Sequence, residues 1–243
     1  MSPDLSLALE LADAADTISL GRFRAPDLVV ETKPDRTPVT EADHAVEQAL
    51  RSRLATERPE DGVLGEEFGV TAGGSRRWIV DPIDGTRNYS RGIPVWATLI
   101  ALEEDGVLRI GVVSAPALAR RWWAERGAGA FADGQPISVS SVARVEDAVL
   151  CFALEQELPP IAHRCWHPRA YGDFWAHMLV AEGAADGAID AVGVTLWDLA
   201  AIQPIVEEAG GRFTDRAGVT RADGGAAISS NGLLHAALLE AVT

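Results

Sequence analysis

The chain has 243 residues, 47% of them hydrophobic, which suffices for one compact unit, or two tightly joined halves, around a large core. Its net charge is −15, from 21 Lys and Arg against 36 Asp and Glu, and this argues against non-specific nucleic-acid binding and against docking on anionic membranes, both of which need a basic surface. The two cysteines, Cys151 and Cys165, are too few for a disulfide framework or a structural zinc site.

The N-terminal stretch MSPDLSLALELADAAD carries acids early and lacks a basic leader region, so it reads as a helix and not as a secretory signal. No apolar run approaches the roughly 20 residues that span a bilayer, and the expected compartment is the cytoplasm. Leu5, Leu9, Ala12 and Ala15 set helical spacing over residues 5–18. Residues 28–31 read as a short strand, and the two prolines of 33–38 demand irregular backbone. A helix is predicted over residues 41–56, with Thr40 as N-cap and Ala45, Ala49 and Leu50 facing inward. Trp78, Ile79 and Val80 form a buried strand expected to stop at Asp81-Pro82. Strands over 94–103 and 107–113 flank Asp105-Gly106, a hairpin signal, and residues 121–124 add another. Helices are predicted over 174–185 and 197–209, the second ending at Gly210-Gly211. A soft boundary near 140–150 divides the chain into an N-terminal half, 1–145, and a C-terminal half, 146–243. The alternation of elements suggests mixed α/β layers.

Three acidic clusters carry the chemistry: Gly65-Glu66-Glu67, Asp81-Pro82-Ile83-Asp84-Gly85-Thr86, and Trp197-Asp198. Asp81 and Asp84 lie three residues apart around a proline, so a tight turn aims both carboxylates at one point. Carboxylates that close repel unless cations sit between them. Hard oxygen donors, with the Ile83 carbonyl between the two acids, suit Mg²⁺. The N–H groups of Gly85 and Thr86 would form an anion site if a helix starts there. Each acid alone has an ordinary reading: a surface turn for Asp81 and Asp84, a helix cap for Asp198, a solvated loop residue for Glu66.

Residues 78–89, WIVDPIDGTRNY, resemble the first signature of the inositol monophosphatase family, and Trp197-Asp198-Leu199-Ala200-Ala201, continuing to Gly210-Gly211, resembles the second. Pro38-Val39-Thr40-Glu41-Ala42-Asp43 is similar to the family's early Val-Thr-x-x-Asp segment, and Gly65-Glu66-Glu67 to its Gly-Glu-Glu loop. Four motifs in the family's order cover roughly residues 33–232. The departures, Tyr89 for the usual Phe and Arg87 for a Lys or smaller residue, remove no ligand.

The resemblance implies a five-layer αβαβα sandwich, usually dimeric, and a phosphomonoesterase needing two or three Mg²⁺ ions. It implies metal ligands at Glu66, Asp81, Asp84, Asp198 and the Ile83 carbonyl. It implies that Asp43 and Thr86 orient the attacking water together with Glu66, and that phosphate rests on Gly85 and Thr86. The stretch from Arg169 to Gly183 is most similar to the histidinol-phosphatase branch, where Gly172-Asp173 stands in place of the Gly-Thr or Gly-Ser of inositol phosphatases. Asp173 then pairs with a cationic substrate or merely caps a helix, and Asp190 takes the place of an acid that contacts the substrate. Asp84 and Asp198 border the same site. The expected reaction is hydrolysis of L-histidinol phosphate, with inositol 1-phosphate as the alternative substrate and a non-catalytic, metal-binding regulatory partner as the alternative of another class.

Overall fold

The computed structural model describes residues 1–153, 158–190 and 193–242. Helix α1 (Pro3–Arg22) opens with the Ser2 hydroxyl accepting the Leu5 N–H at 3.1 Å and with Pro3 in the first turn. Strand β1 (Val30–Thr32) pairs antiparallel with β2 (Pro38–Thr40), and the proline-bounded segment turns between them. Helix α2 (Glu41–Glu57) is capped by Thr40 as expected. Its inward face differs from the prediction: Ala45 is exposed and Ala49 half-buried, whereas Asp43, Val46, Glu47, Leu50 and Leu54 are buried. The helical period was right and its phase wrong, because two acids point inward.

Strands β3 (Gly62–Gly65), β4 (Gly69–Thr71) and β5 (Arg76–Asp84) follow. β5 does not stop at Asp81-Pro82. It runs on to Asp84 through a register shift against the next strand, and at such a bulge proline's missing N–H breaks no ladder bond. A short helix, α3 (Thr86–Ser90), leads to β6 (Ala97–Glu104) and β7 (Val107–Ala115), joined at Asp105 and Gly106, both with positive φ (52° and 74°). Strands β8 (Arg120–Glu125), β9 (Gly129–Ala132) and β10 (Gln135–Pro136) complete a sheet of order β10-β9-β8-β7-β6-β5-β3-β4.

A second sheet has order β12-β11-β13-β15-β14, built from β11 (Val149–Phe152), β12 (His167–Arg169), β13 (Gly187–Asp190), β14 (Arg212–Thr214) and β15 (Ala227–Ser230). Helix α4 (Asp173–Ala181) is shorter than predicted, since Gly183 with φ 74° turns the chain back. The single helix expected over 197–209 is two: α5 (Leu196–Leu199) and α6 (Ile202–Glu208). Pro204 explains the break, because it lacks the N–H that would bond the Ala200 carbonyl. Helix α7 (His235–Glu240) ends the chain's regular structure.

Side-chain alternation along the strands sorts these elements into layers. Trp78, Val80, Ile100 and Val112 of the first sheet pack on α1 and α2. Ile79, Leu99, Val113 and Trp122 face the other way, onto Phe174 and Met178 of α4 and Ile202, Ile205 and Val206 of α6. Cys151 and Ala188 of the second sheet meet Ala176 and Val180 of α4. Its outer face places Leu150, Phe152, Ile189 and Ile228 against Leu238 of α7. The architecture is therefore αβαβα. Both cysteines are buried and free, and among the described residues no helix is long and apolar enough to cross a membrane.

Candidate active site

The site gathers where β5 ends over the helices between the sheets. Asp81 turns the chain, its Oδ1 accepting the Ile83 N–H at 3.0 Å, and the Thr98 hydroxyl holds the Pro82 carbonyl at 2.8 Å. Gly85 follows with φ 84°, and a Cβ there would lie 3.1 Å from the Val95 carbonyl oxygen, so glycine suits both the conformation and the space. Thr86 then opens α3.

Asp198 arrives from the far side on α5. Thr195 caps that helix, and Asp198 Oδ2 accepts both the Thr195 N–H at 2.5 Å and its hydroxyl at 2.9 Å. Asp81, Asp84 and Asp198 each offer a carboxylate oxygen within 4.8 Å of the others. The capping reading of Asp198 and its place in the cluster thus hold together, as one oxygen is used locally and the rest of the group points inward.

A matching box begins α2. Asp43 Oδ2 accepts the Thr40 N–H at 2.8 Å and its hydroxyl at 2.5 Å. Its Oδ1 lies 3.1 Å from the Thr86 hydroxyl, which is also 2.8 Å from the Ile83 carbonyl. One hydroxyl proton serves one of these two acceptors at a time. Glu66 stands at the β3–β4 connection with its Oε1 2.7 Å from Lys33 Nζ, which lies at the same distance from Glu67 Oε1. Lys33 is not singled out by the sequence, because Arg36 stands in the same proline-containing loop and the contacts to Glu66 and Glu67 span 33 and 34 residues.

Charge crowding marks the site. Burial lifts Asp81 well above the carboxylate range, and Glu66, Asp84, Asp198 and Asp43 add to it. Asp84 is raised likewise by burial, then by Asp173 and Asp198, against the opposing bond from the Phe174 N–H. Asp198 is pushed up to about 6, chiefly by burial, and burial also raises Asp43. Burial opposes the charge of Lys33, yet Glu66 and Glu67 hold its ammonium above the usual range. A group of acids this reluctant to ionise together fits a divalent cation: the donors are all hard oxygens and their mutual repulsion is what a cation relieves.

Asp173 does not cap α4 in the ordinary sense. Gly172 holds the N-cap position, and Asp173 is the first helical residue with φ 54°. Its carboxylate lies beside Gly85, with Oδ2 3.6 Å from where a glycine Cβ would stand. Asp190 ends β13 and is near enough to raise Asp84. Of the tryptophans considered for stacking, Trp96 is buried against Phe23 and Tyr89, Trp166 is exposed, and Trp175 is half-buried with its ring centroid 4.6 Å from that of Tyr171. His177 bonds Ser229 at 2.7 Å, and His235 sits between Thr214 and Ser230 at 2.9 Å each. Both are core histidines.

This constellation is a candidate metal-assisted phosphatase site on an αβαβα scaffold. The sequence profile of the inositol monophosphatase family matches residues 1–243, and the chain belongs to that family. The family is metal-dependent, and this chain is a phosphatase. It is 55% identical over 96% of its length to the histidinol-phosphatase of Mycobacterium tuberculosis (strain ATCC 25618 / H37Rv), covering 95% of that protein. It is 49% identical over 97% of its length to the histidinol-phosphatase of Streptomyces coelicolor, again covering 95%. Among solved structures, the extragenic suppressor protein suhB from Bartonella henselae superimposes with a TM-score of 0.92 at 30% identity, covering 100% of this chain and 99% of that one.

Proposed function

We propose that this phosphatase hydrolyses L-histidinol phosphate to L-histidinol and phosphate, a step of histidine biosynthesis, as a cytoplasmic homodimer using two or three Mg²⁺ ions. The observation that carries the substrate is the carboxylate of Asp173 beside the phosphate-facing glycine, in a chain whose relatives named above are histidinol-phosphatases. Histidinol phosphate carries an ammonium and an imidazole, and an added carboxylate pairs with either. Asp190, at the end of β13, would serve as a second contact. The chain divides in this reading into halves 1–145 and 146–243, with the first sheet in one and the second in the other.

Glu66, Asp81, Asp84, Asp198 and the Ile83 carbonyl would hold the ions. When bound, they supply Lewis acidity and offset the charge of the phosphoryl group. The protein's residues do the rest. Asp43 accepts from the Thr86 hydroxyl, which turns a Thr86 lone pair toward the water that attacks phosphorus, and Glu66 flanks that water from the other side. Gly85 and Thr86 present N–H groups to the phosphate oxygens at the start of α3. Asp198, held by Thr195, would share with Asp81 and Asp84 an ion that offsets the charge of the leaving alkoxide. Among the described residues no side chain is read as a covalent nucleophile, and water would attack directly and in line.

The test is phosphate release with Mg²⁺ present, comparing histidinol phosphate with inositol 1-phosphate at matched concentrations. A preference of about a hundredfold in kcat/KM, roughly 2.7 kcal/mol, is expected for histidinol phosphate. Equal rates, or a preference for inositol 1-phosphate, assign a general or inositol phosphatase and leave Asp173 a purely local role.

A further inference from the structure

Glu66 projects from a tight connection, residues 66–68, between β3 and β4. One turn beyond Asp43 on α2 lies a second inward acid, Glu47, which is fully buried. Its carboxylate is spent on this connection: Oε2 accepts the Glu67 N–H at 2.8 Å, and Oε1 the Phe68 N–H at 3.1 Å. Arg51, a further turn along, donates to Glu47 Oε1 at 2.7 Å. The same guanidinium reaches the Gly69 carbonyl at 2.5 Å and the Thr71 hydroxyl at 3.0 Å. One carboxylate and one guanidinium therefore grip the connection and the strand that leaves it.

The fit is tight. A Cβ at Gly65 would lie 2.0 Å from Glu47 Oε1, so the residue before Glu66 has no room for a side chain while Glu47 occupies this place. Burying a carboxylate is costly unless it is paired and hydrogen-bonded. An apolar residue at this helix position would fill space without that cost, but would leave the Glu67 and Phe68 N–H groups without their acceptor.

We propose that Glu47, supported by Arg51, is a positioning residue for the metal site, fixing the backbone of residues 66–68 and with it the place of Glu66. This rests on the reading of Glu66 as a metal ligand. Asp43 and Glu47, four residues apart on one face of α2, then have separate tasks: the first orients Thr86, the second sets the loop of Glu66.

Full-length wild type, Glu47→Gln, Glu66→Gln and the double variant are compared by calorimetric Mg²⁺ titration and by the rise in Tm that Mg²⁺ produces. Gln keeps the shape of Glu47 but presents an NH₂ where an acceptor is needed. The expected result is unchanged far-UV circular dichroism with Mg²⁺ binding weakened by about ten- to a hundredfold, the usual range for groups that orient ligands. The Mg²⁺ concentration for half-maximal phosphate release rises in parallel, while kcat at saturating Mg²⁺ largely recovers. Adding Glu66→Gln weakens binding little further, because the two act through one ligand. A Glu47→Gln protein that loses Tm yet binds Mg²⁺ as tightly as wild type overturns the proposal, as does full additivity with Glu66→Gln. If Glu47→Gln does not fold, Arg51→Lys takes its place, and unchanged Mg²⁺ binding there has the same consequence. Wild type that binds no Mg²⁺ overturns the metal reading itself. Wild type that binds it alongside an equally tight Glu47→Gln overturns only the positioning role.

Discussion

Asp84 and Phe174, 90 residues apart, are joined by a hydrogen bond of 2.6 Å from the Phe174 N–H to Asp84 Oδ2. Helix α4 has Gly172 at its N-cap and no side-chain cap of its own, so the carboxylate from the end of β5 serves an N–H that would otherwise lack a partner. The same group belongs to the acidic cluster. The start of α4, with Asp173 and Trp175, is thereby held in register with the acidic cluster.

Asp84→Asn keeps an oxygen for the Phe174 N–H but removes one of three mutually repelling buried charges. The metal-free variant is expected to melt at a higher temperature than metal-free wild type, since burial and like charge both oppose the native carboxylate. Its phosphatase activity is expected to fall by about a hundredfold or more, as several kcal/mol of charge stabilisation depend on the cation site. Melting curves in EDTA and with Mg²⁺, beside a steady-state assay, check both; a metal-free Tm below wild type would contradict the repulsion account.

The raised acids set the pH response. A carboxyl whose folded pKa exceeds its unfolded value stabilises the fold below the unfolded pKa and loses that contribution as pH rises through the folded one. For Asp198 the window runs from its ordinary 3.8 to about 6, and Asp81 and Asp84, both raised well above that ordinary value by burial and like charge, act in the same direction. The Tm gain produced by Mg²⁺ is therefore expected to be small near pH 5 and to grow toward pH 8, because protons and the cation compete for the same oxygens. Thermal scans with and without Mg²⁺ across this range measure it, and a gain independent of pH would refute the competition.

Gly111 of β7 lies under the junction of α5 and α6. A Cβ there would come within 2.1 Å of the Ala201 carbonyl oxygen, which is backbone and cannot swing away. Gly111→Ala is expected to destabilise by about 1–3 kcal/mol in urea denaturation. It is also expected to raise the Mg²⁺ requirement, because the junction that is pushed follows directly on α5, which carries Asp198.

Asp173→Asn removes the charge and keeps a side chain that tolerates φ 54°. A hydrogen bond involving a charged group contributes about 1.5–3 kcal/mol. The kcat/KM for histidinol phosphate is therefore expected to drop by about ten- to a hundredfold, with little change for inositol 1-phosphate. Equal losses on both substrates would show that Asp173 shapes the site and does not read the amine.

Much of the site was legible because its parts are local. Asp81 and Asp84 share one turn, and Thr40-x-x-Asp43 and Thr195-x-x-Asp198 are capping boxes whose partners lie three residues apart. The Asp105-Gly106 hairpin needs only the φ values of two residues. These arrangements depend on short-range geometry that the chain adopts wherever it is placed. The break before α6 is also written locally, in Pro204, although the apolar pattern on either side stays helical.

What the sequence determined by itself was thus the residue types, their local turns and caps, and the mixed α/β class, with the order of the layers implied by the family resemblance. The tertiary structure decided what those pieces do to one another. It turned Asp43 and Glu47 inward, against the phase that alanines alone suggested: Asp43 accepts from Thr40 and Thr86, and Glu47 accepts the N–H groups of Glu67 and Phe68. It brought Asp198 to Asp81 and Asp84, joined Phe174 to Asp84, and set Lys33 between Glu66 and Glu67. Each of these contacts spans many residues, so its energy depends on how two sheets and their helices pack, which no short stretch of chain encodes.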